Sequence, residues 1–357
     1  MTGATVRAEA HMDVATDGTD GMDDMDGTDG MDGMDGMDDM DDMDGTVRAM
    51  LRELKTGFPR VETMTGPEAR AAVAARRVPA SNIEDVRSTI DHTVPGPAGA
   101  IPVRIYYPHG DLFGHHPGIV FYHGGGFVFC DIESHDGFCR ALARGGQAVV
   151  VSVGYRLAPE HPAPAAALDA FAAFRWVIDH ADGLGIDATR TAVAGDSAGG
   201  NLAAVTAILC RERGSVRPAA QLLLYPAVDP TFDTDSYHRY GTGYFNTRAA
   251  MQWYWRQYLG DERLFDPPWL VAPARADCYT DLPAAVVVTA GLDPLHSEGC
   301  DYARRLRSAG VRVVHRDFPG LFHGFMTIQS FPPAASAREL ICGDLRELLD
   351  FARCEST

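Results

Sequence analysis

The sequence of 357 residues lacks any stretch of about 18 consecutive apolar residues, and its first residues contain no apolar core of a signal peptide. It also lacks C-x-x-C pairs and zinc-ligand spacing, although it has seven cysteines. We therefore expect a cytoplasmic protein whose cysteines are free thiols in a reducing compartment, with secretion by an unrecognised route as the alternative. The same absences predict no stable membrane insertion.

Positive charge is scarce: 31 Lys and Arg stand against 49 Asp and Glu, for a formal net charge of −18. Thirteen aspartates fall in residues 17–45, which contain no Lys or Arg, so the rest of the chain carries only five net negative charges. Nucleic-acid binding depends largely on clustered Lys and Arg. The composition thus argues against a nucleic-acid partner and favours a small organic substrate.

Residues 1–45 end in a repeat of Asp, Gly and Met with a period near three, which is too charged and glycine-rich to form a core. We expect a disordered tail, or a translation start assigned upstream of the true one. A calcium site is an alternative, but no stretch fits the pattern D-x-[DN]-x-[DN]-G-x5-E.

After residue 45 the pattern changes, and residues 46–85 have the apolar spacing of short helices. Residues 86–228 and 276–357 then alternate between β-rich runs and helical stretches, which predicts an α/β fold with a mostly parallel sheet flanked by helices. The predicted strands are 101–107, 118–122, 148–153, 191–194, 221–225, 284–289 and 311–318. The predicted core helices include 165–180, 198–213 and 296–308.

One interval, 229–275, is too long for an ordinary loop and is rich in Trp, Tyr and Phe. Part of it, 247–259, has helical composition, so we expect a helical cap beside the strand ends. Aromatic residues at helical spacing pack more often than they line pockets, and only some should face a substrate.

The string GDSAG at 195–199 follows the apolar run TAVA and precedes a helical segment, as in a strand, sharp turn and helix. Glycine beside the central residue lets strand and helix approach closely around a strained turn. The sequence therefore predicts Ser197 as a nucleophile. The alternative role of Ser197 is to cap the helix that follows.

A second glycine string, HGGGF at 123–127, also follows a predicted strand. Preorganised N–H donors stabilise the oxyanion that forms in acyl transfer. We expect Gly124, Gly125 and Ala198 to be these donors. An alternative interpretation is a phosphate-binding loop, but neither G-x-G-x-x-G nor G-x-x-x-x-G-K-[ST] is matched. A flexible loop without a binding role is a further alternative.

Serine needs a base, and the base needs a carboxylate to orient it. Asp293 and His323 each follow a predicted strand, in the order Ser, Asp, His. Alternatively, Asp293 caps a helix before Pro294 and His323 belongs to a surface turn. Asp196, next to the nucleophile, should point away from it and serve hydrogen bonding. The other histidines form no metal pattern, since H-E-x-x-H is absent, and we expect no metal and no cofactor.

These strings, together with YRLAPE at 155–160, resemble the hormone-sensitive-lipase-like family of bacterial esterases, with the α/β-hydrolase fold. The resemblance runs from about residue 86 to the C-terminal helix. It implies the same catalytic residues, a cap built from residues 46–85 and 229–275, and hydrolysis of short or medium acyl esters by a serine carboxylesterase or lipase-like enzyme. It also implies structural support from several motif residues: His123, Gly126, Gly195, Asp196, Gly199, Arg156 and Glu160.

The residues leave the cleaved bond open, because the same triad serves amidases, lactonases and deacetylases. A non-catalytic receptor on this fold is another alternative, but the family's plant gibberellin receptor lacks the histidine that His323 supplies here. The oligomeric state also stays open, with a homodimer as one outcome.

Overall fold

The computed structural model describes residues 43–110, 115–260 and 265–355. Most of the expected disordered tail, 1–45, lies outside these residues. At its end Asp44 caps a helix that begins at Gly45, because the Asp44 carboxylate accepts hydrogen bonds from Thr46 N at 2.8 Å and Val47 N at 3.2 Å. Helical structure therefore begins one residue inside the predicted tail.

The centre of the molecule is a sheet of eight strands in the order β1-β2-β4-β3-β5-β6-β7-β8, counted within the described ranges. Strand β2 runs antiparallel to β1 and β4, and all the other neighbours are parallel. The mostly parallel sheet predicted from the sequence is thus confirmed. The strands are β1 Ser88–Gly96, β2 Gly99–Tyr107, β3 His116–Tyr122, β4 Val149–Val153, β5 Ile186–Asp196, β6 Ala220–Leu224, β7 Ala284–Leu292 and β8 Val313–Phe322.

Helices cover both faces of this sheet. Along the described chain the helices are α1 Gly45–Gly57, α2 Gly66–Ala74, α3 Asp136–Gly146, α4 Ala165–Asp179, α5 Ala198–Glu212, α6 Asp235–Tyr240, α7 Arg248–Leu259, α8 His296–Ser308 and α9 Pro332–Glu355. None of these helices has both the length and the apolar composition needed to span a bilayer. On β3, Ile119 and Phe121 point into one hydrophobic cluster, with residues of α1, α3 and α9, whereas Val120 and Tyr122 point into the other, with residues of α4, α5, α7 and α8.

The N-terminal helices and the insertion after β6 contact each other. Trp253 on α7 donates from Nε1 to the carbonyl oxygen of Met64 at 3.1 Å. Phe58, just after α1, packs edge-on against Phe245, with the ring centroids 5.1 Å apart. These contacts join two segments that are almost 190 residues apart in sequence into one layer next to the strand ends.

Four loops meet at the carboxyl edge of the sheet. The glycine string follows β3, Ser197 follows β5, Asp293 follows β7 and His323 follows β8. Parallel strands bring their C-terminal ends to one edge, where α/β proteins bind ligands. The topology therefore places the sequence-predicted functional residues in one region.

Candidate active site

Ser197 lies in a strained turn between β5 and α5. Its φ of 54° and ψ of −116° are unfavourable for a residue with a side chain, at a cost of about 1–3 kcal/mol. A Cβ on Gly195 or Gly199 would collide with backbone, at Gly199 with the carbonyl of Tyr122. The two glycines thus let β5, β3 and α5 approach closely enough to form the turn.

The Ser197 hydroxyl points to His323 and not to the start of the helix. Ser197 occupies the N-cap position of α5, but its side chain makes no capping hydrogen bond. Instead His323 Nε2 lies 2.9 Å from Ser197 Oγ, and His323 Nδ1 lies 2.7 Å from Asp293 Oδ2. Serine, imidazole and carboxylate form a continuous hydrogen-bonded chain.

This chain is buried and its tautomer follows from the geometry. Ser197 and His323 are each 8% exposed and Asp293 is fully buried, so His323 is not a surface turn residue. The other Asp293 oxygen, Oδ1, accepts a hydrogen bond from Leu295 N at 2.9 Å. Because the carboxylate accepts the Nδ1 proton of His323, Nε2 is left to accept the serine proton.

The structure contradicts one predicted oxyanion donor. Gly124 donates its N–H to Asp196 Oδ1 at 2.8 Å, so this group is already occupied by a buried carboxylate. By contrast, the N–H groups of Gly125 and Gly126 have no acceptor among the described residues, and both residues line the cavity that contains Ser197. The available donors in the string are therefore Gly125 and Gly126, and not Gly124 and Gly125.

Positive φ angles explain why this string is glycine. Gly125 has φ 104° and Gly126 has φ 60°, and a Cβ at Gly126 would strike the ring of Tyr254. The third available donor is Ala198 N. It is the first N–H of α5 and has no carbonyl one turn earlier within the helix to accept it.

Asp196 holds the glycine string through its carboxylate, and it also lines the cavity that contains Ser197. His135 Nε2 lies 3.1 Å from Asp196 Oδ1, on the side of the carboxylate that also receives Gly124. Burial by itself would raise the pKa of Asp196, but the nearby His135 and the Gly124 N–H lower it below its usual value. Sequence reasoning missed His135, because the contact spans 61 positions and no local pattern indicates it.

The first residue of the string, His123, is also structural. Its Nδ1 lies 2.7 Å from Gly124 O, its ring stacks on Tyr155 with the centroids 4.3 Å apart, and Tyr155 donates from its hydroxyl to His123 O at 2.7 Å. Burial lowers the pKa of His123 to about 4, so its ring is neutral at physiological pH.

Arg156 and Glu160 hold the loop after β4. Arg156 forms a bidentate pair with buried Asp169, with the shortest contact at 2.7 Å. Glu160 pairs with Arg70 of α2 at 2.8 Å, and Arg70 also donates to the carbonyl of Val128, directly after the glycine string. The second pair therefore ties the N-terminal helices to the loops of the site.

A cavity of about 410 Å³ opens above Ser197 and His323. Its aromatic lining comes from three parts of the chain: Phe58 near α1, Phe129 after the glycine string, and Phe245 and Tyr254 from the insertion. Five other aromatic residues of the insertion are buried but do not line the cavity: Tyr237, Tyr244, Trp253, Trp255 and Tyr258. Helical spacing alone does not separate these two sets.

Residues 119–327 match a family of proteins with the alpha/beta hydrolase fold. The chain is 44% identical over 258 residues to the carboxylic ester hydrolase LipN of Mycobacterium tuberculosis, covering 70% of this chain and 68% of that protein. It is 39% identical to an ethyl acetate hydrolase of Pseudomonas putida, over 64% of this chain and 73% of that protein.

Solved structures of similar proteins point the same way. An ester hydrolase from the metagenome of Lake Arreo, complexed with a derivative of bipyridine phosphonate, has a TM-score of 0.80 at 37% identity and covers 85% of this chain and 98% of its own. A hyperthermophilic esterase from the archaeon Pyrobaculum calidifontis has a TM-score of 0.77 at 38% identity and covers 86% and 98%.

Proposed function

The chain belongs to the α/β-hydrolase fold family, in its hormone-sensitive-lipase-like branch of serine carboxylesterases, and we propose that Ser197, His323 and Asp293 carry out its ester hydrolysis. The observation that carries this assignment is the hydrogen-bonded chain from Ser197 Oγ through both nitrogens of His323 to the carboxylate of Asp293.

In the first half of the proposed reaction, His323 Nε2 takes the hydroxyl proton while Ser197 Oγ attacks the ester carbonyl. The tetrahedral intermediate collapses when the imidazolium gives this proton to the leaving alcohol, and an acyl-serine remains. Water then attacks the acyl group with the same proton transfers, which releases the acid and restores Ser197. Asp293 holds the tautomer and stabilises the imidazolium.

For the oxyanion we propose Gly125 N, Gly126 N and Ala198 N as donors. Gly125 and Gly126 lie in the loop after β3, and Ala198 directly follows Ser197 after β5. Neither glycine N–H has another acceptor in the described part of the chain. Each such donor stabilises the transition state by about 3–4 kcal/mol. Asp196 and His135 act as positioning residues, since they fix the glycine string through the Gly124 N–H.

We propose short to medium acyl esters of small molecules as substrates. The cavity of about 410 Å³ is near the lower end of the range for small-molecule sites, about 300–1,000 Å³, and four aromatic rings line it. With p-nitrophenyl esters from acetate to palmitate, we expect kcat/KM to peak at short or medium chains. A maximum at palmitate would instead favour a true lipase.

The decisive variant is Ser197→Ala. We expect it to lower kcat for p-nitrophenyl butyrate by at least about 10⁴-fold, since removal of a triad nucleophile leaves only binding and oxyanion stabilisation. The variant should also lose labelling by a fluorophosphonate probe. Its matched control is Ser236→Ala, a buried serine on α6 that does not line the cavity. Turnover of Ser197→Ala equal to that of the control would refute the assignment.

We further propose a cytoplasmic location and no nucleic-acid partner. The cytoplasmic proposal is supported by Cys139, Cys210 and Cys342, which are buried as free thiols in the described part of the chain. The homodimer predicted as one outcome remains a prediction, which the mass of the protein in solution tests.

A further inference from the structure

A second group of nucleophilic and titratable side chains lies outside the catalytic cavity. Its members are Cys300 and His296 on α8, His315 and Asp317 on β8, and Thr289 on β7, and we call these five residues the thiol network. None of the five lines the cavity above Ser197. The mechanism above uses none of them.

Two imidazoles converge on the sulfur of Cys300. His296, one helical turn before it, places Nε2 at 3.5 Å from Cys300 Sγ, and His315 Nε2 lies at 4.0 Å. Thr289 Oγ1 lies 3.9 Å from the same sulfur. The three side chains that contact the sulfur come from three different elements, so the arrangement is a product of the tertiary fold.

A carboxylate completes the network. Asp317 Oδ1 lies 3.0 Å from His296 Nε2 and accepts a hydrogen bond from Thr289 at 2.8 Å. Thr289 Oγ1 is also 2.9 Å from His315 Nε2. These groups bond to one another, and no set of three or more His, Cys, Asp or Glu side chains in residues 43–110, 115–260 and 265–355 is placed to hold a metal ion. Asp317 favours a charged His296, and a charged His296 favours a thiolate at Cys300.

Two of the other cysteines, Cys130 and Cys210, provide a contrast. Burial raises the pKa of Cys130 and of Cys210, in each case to about 12. For Cys300, burial also acts to raise the pKa, but the hydrogen bonds from His296 and His315 outweigh it and lower the pKa to about 6. The hydrogen bond to Cys300, helped by Asp317, raises the pKa of His296 to about 9. Between these values sulfur and imidazole form an ion pair.

Other charged groups on α8 have different partners. Glu298 accepts hydrogen bonds from Val228 N and Asp229 N on another side of the helix, and Asp301 pairs with Arg305 at 2.6 Å. Helix α6 meets α8 at Ser297, near the first turn. The charged groups that act on Cys300 are therefore those of the network itself.

We propose that Cys300 is a thiolate nucleophile at neutral pH and the site at which small hydroperoxides modify this protein. Cys300 is only partly buried, and the His296 side chain is 29% exposed, so a small reagent can reach the sulfur. An electron pair of the thiolate sulfur attacks the hydroxyl oxygen of the peroxide, which forms an S–O bond and breaks the O–O bond. The departing alkoxide or hydroxide takes the proton of the His296 imidazolium, which leaves sulfenic acid and alcohol or water.

This chemistry explains why a hydroperoxide fits the site better than an alkylating agent. When an alkyl halide reacts, its halide ion leaves as a stable anion, whereas an alkoxide or hydroxide leaves readily only with a proton. His296 Nε2, at 3.5 Å from the sulfur, carries that proton.

The first test measures the rate of iodoacetamide alkylation of individual cysteines by mass spectrometry from pH 5 to 9. We expect the Cys300 rate to have a midpoint near pH 6. At pH 6 half of Cys300 is thiolate, and after allowance for its lower intrinsic nucleophilicity it should react about tenfold faster than a thiol of ordinary pKa near 8.5. Exposed Cys278 is the internal control for the imidazole, because hydrogen bonds with Thr280 lower its pKa and its described contacts include no histidine.

The second test uses His296→Gln, which keeps a hydrogen-bonding side chain but removes the charge. We expect the Cys300 midpoint to rise by more than one pH unit while that of Cys278 stays unchanged. Sulfenic acid, trapped with dimedone after addition of hydrogen peroxide at pH 7, should form at Cys300 in the wild type, fall about tenfold in His296→Gln and vanish in Cys300→Ser. Unchanged turnover of p-nitrophenyl butyrate would show that both variants fold.

A Cys300 midpoint above pH 8 in the wild type would overturn the proposal, as would equal dimedone labelling of Cys300 and Cys278. Neither result would affect the catalytic assignment, which the Ser197 variant tests separately.

Discussion

The proposed catalytic residues and the thiol network contain the same three kinds of group, yet they use the imidazole differently. His323 contacts the nucleophile with Nε2 and the carboxylate with Nδ1, so a proton can enter on one side while charge is stabilised on the other. In the thiol network His296 turns the same nitrogen, Nε2, toward both Cys300 and Asp317. That geometry stabilises an ion pair but does not activate a neutral nucleophile.

The surroundings of the two nucleophiles differ as well. Ser197 is buried in a strained turn with free backbone donors beside it and a cavity above it. Cys300 lies within a regular helix, partly exposed, and the contacts of its sulfur are to side chains. The comparison teaches that residue types alone do not define a hydrolytic site, because acyl transfer also needs oxyanion donors and a place for the substrate.

The largest expected effect comes from replacing the carboxylate of Asp293 or of Asp317 by an amide, in separate variants. Asp293→Asn should lower kcat about 10⁴-fold, because an amide beside Nδ1 no longer fixes the tautomer in which Nε2 accepts the serine proton. Asp317→Asn should leave ester hydrolysis within about twofold of the wild type, since the hydrogen bonds of its side chain with described residues are to Thr289 and His296 and it is 41% exposed. Steady-state kinetics with p-nitrophenyl butyrate measure both.

The two variants control for each other, because each replaces one carboxylate near the same helix. Thermal melts check that both proteins are folded. Comparable losses of kcat in the two variants would mean that the carboxylates act through the stability of α8 and not through separate sites.

The convergence of the proposed catalytic residues could be predicted because they occupy positions that the topology fixes. Ser197, Asp293 and His323 each follow a strand, and parallel strands bring those positions together. The strands and helices of the core have periodic apolar patterns, so most were located within a few residues. The edge strand β1 was not predicted, because most of its residues are exposed and little alternation marks it.

Other parts of the site depend on contacts between distant residues, which a local pattern does not contain. The choice between Gly124 and Gly126 as a donor is decided by Asp196, which occupies the Gly124 N–H. The role of His135 is decided by the same carboxylate. Likewise, which aromatic side chains line the cavity depends on how the segment after α1 packs against the insertion, as Phe58 does against Phe245, and helical spacing does not reveal this.

Replacement of His135 should have an intermediate effect on kcat. It tests whether the positioning of the oxyanion donors matters for ester hydrolysis and not for the thiol network. His135→Ala removes the partner of Asp196 and frees that buried carboxylate to move, together with the Gly124 N–H that it holds. We expect kcat to fall about 10- to 100-fold with little change in KM, because the donors act mainly in the transition state. Reaction of Cys300 with iodoacetamide should not change.

His135→Gln is the matched variant, since its amide can again donate to Asp196 and should restore part of kcat. If alanine raised KM and left kcat unchanged, His135 would belong to substrate binding and not to the support of the oxyanion donors.

The smallest expected effect concerns Glu298, on the helix that carries the thiol network and begins just after Asp293. Burial raises the pKa of Glu298 well above its usual range, against the hydrogen bonds from Val228 N and Asp229 N, which act to lower it. The unfolded chain therefore ionises this carboxyl at lower pH than the folded protein does. The free energy of unfolding should decrease as pH rises above about 4.5, the usual value of a glutamate.

Glu298→Gln keeps an oxygen that can accept from Val228 N but cannot ionise, so it should raise Tm by a few degrees at pH 8 and change it little at pH 4. Thermal melts across this range measure the difference, with exposed Glu347→Gln as the control. A Tm of Glu298→Gln below that of the wild type at pH 8 would show that the folded protein stabilises a charged Glu298. In that case both sides of α8 would carry charge in the folded protein. Glu298 would be a buried carboxylate on one side, and Cys300 and His296 would form their ion pair on the other.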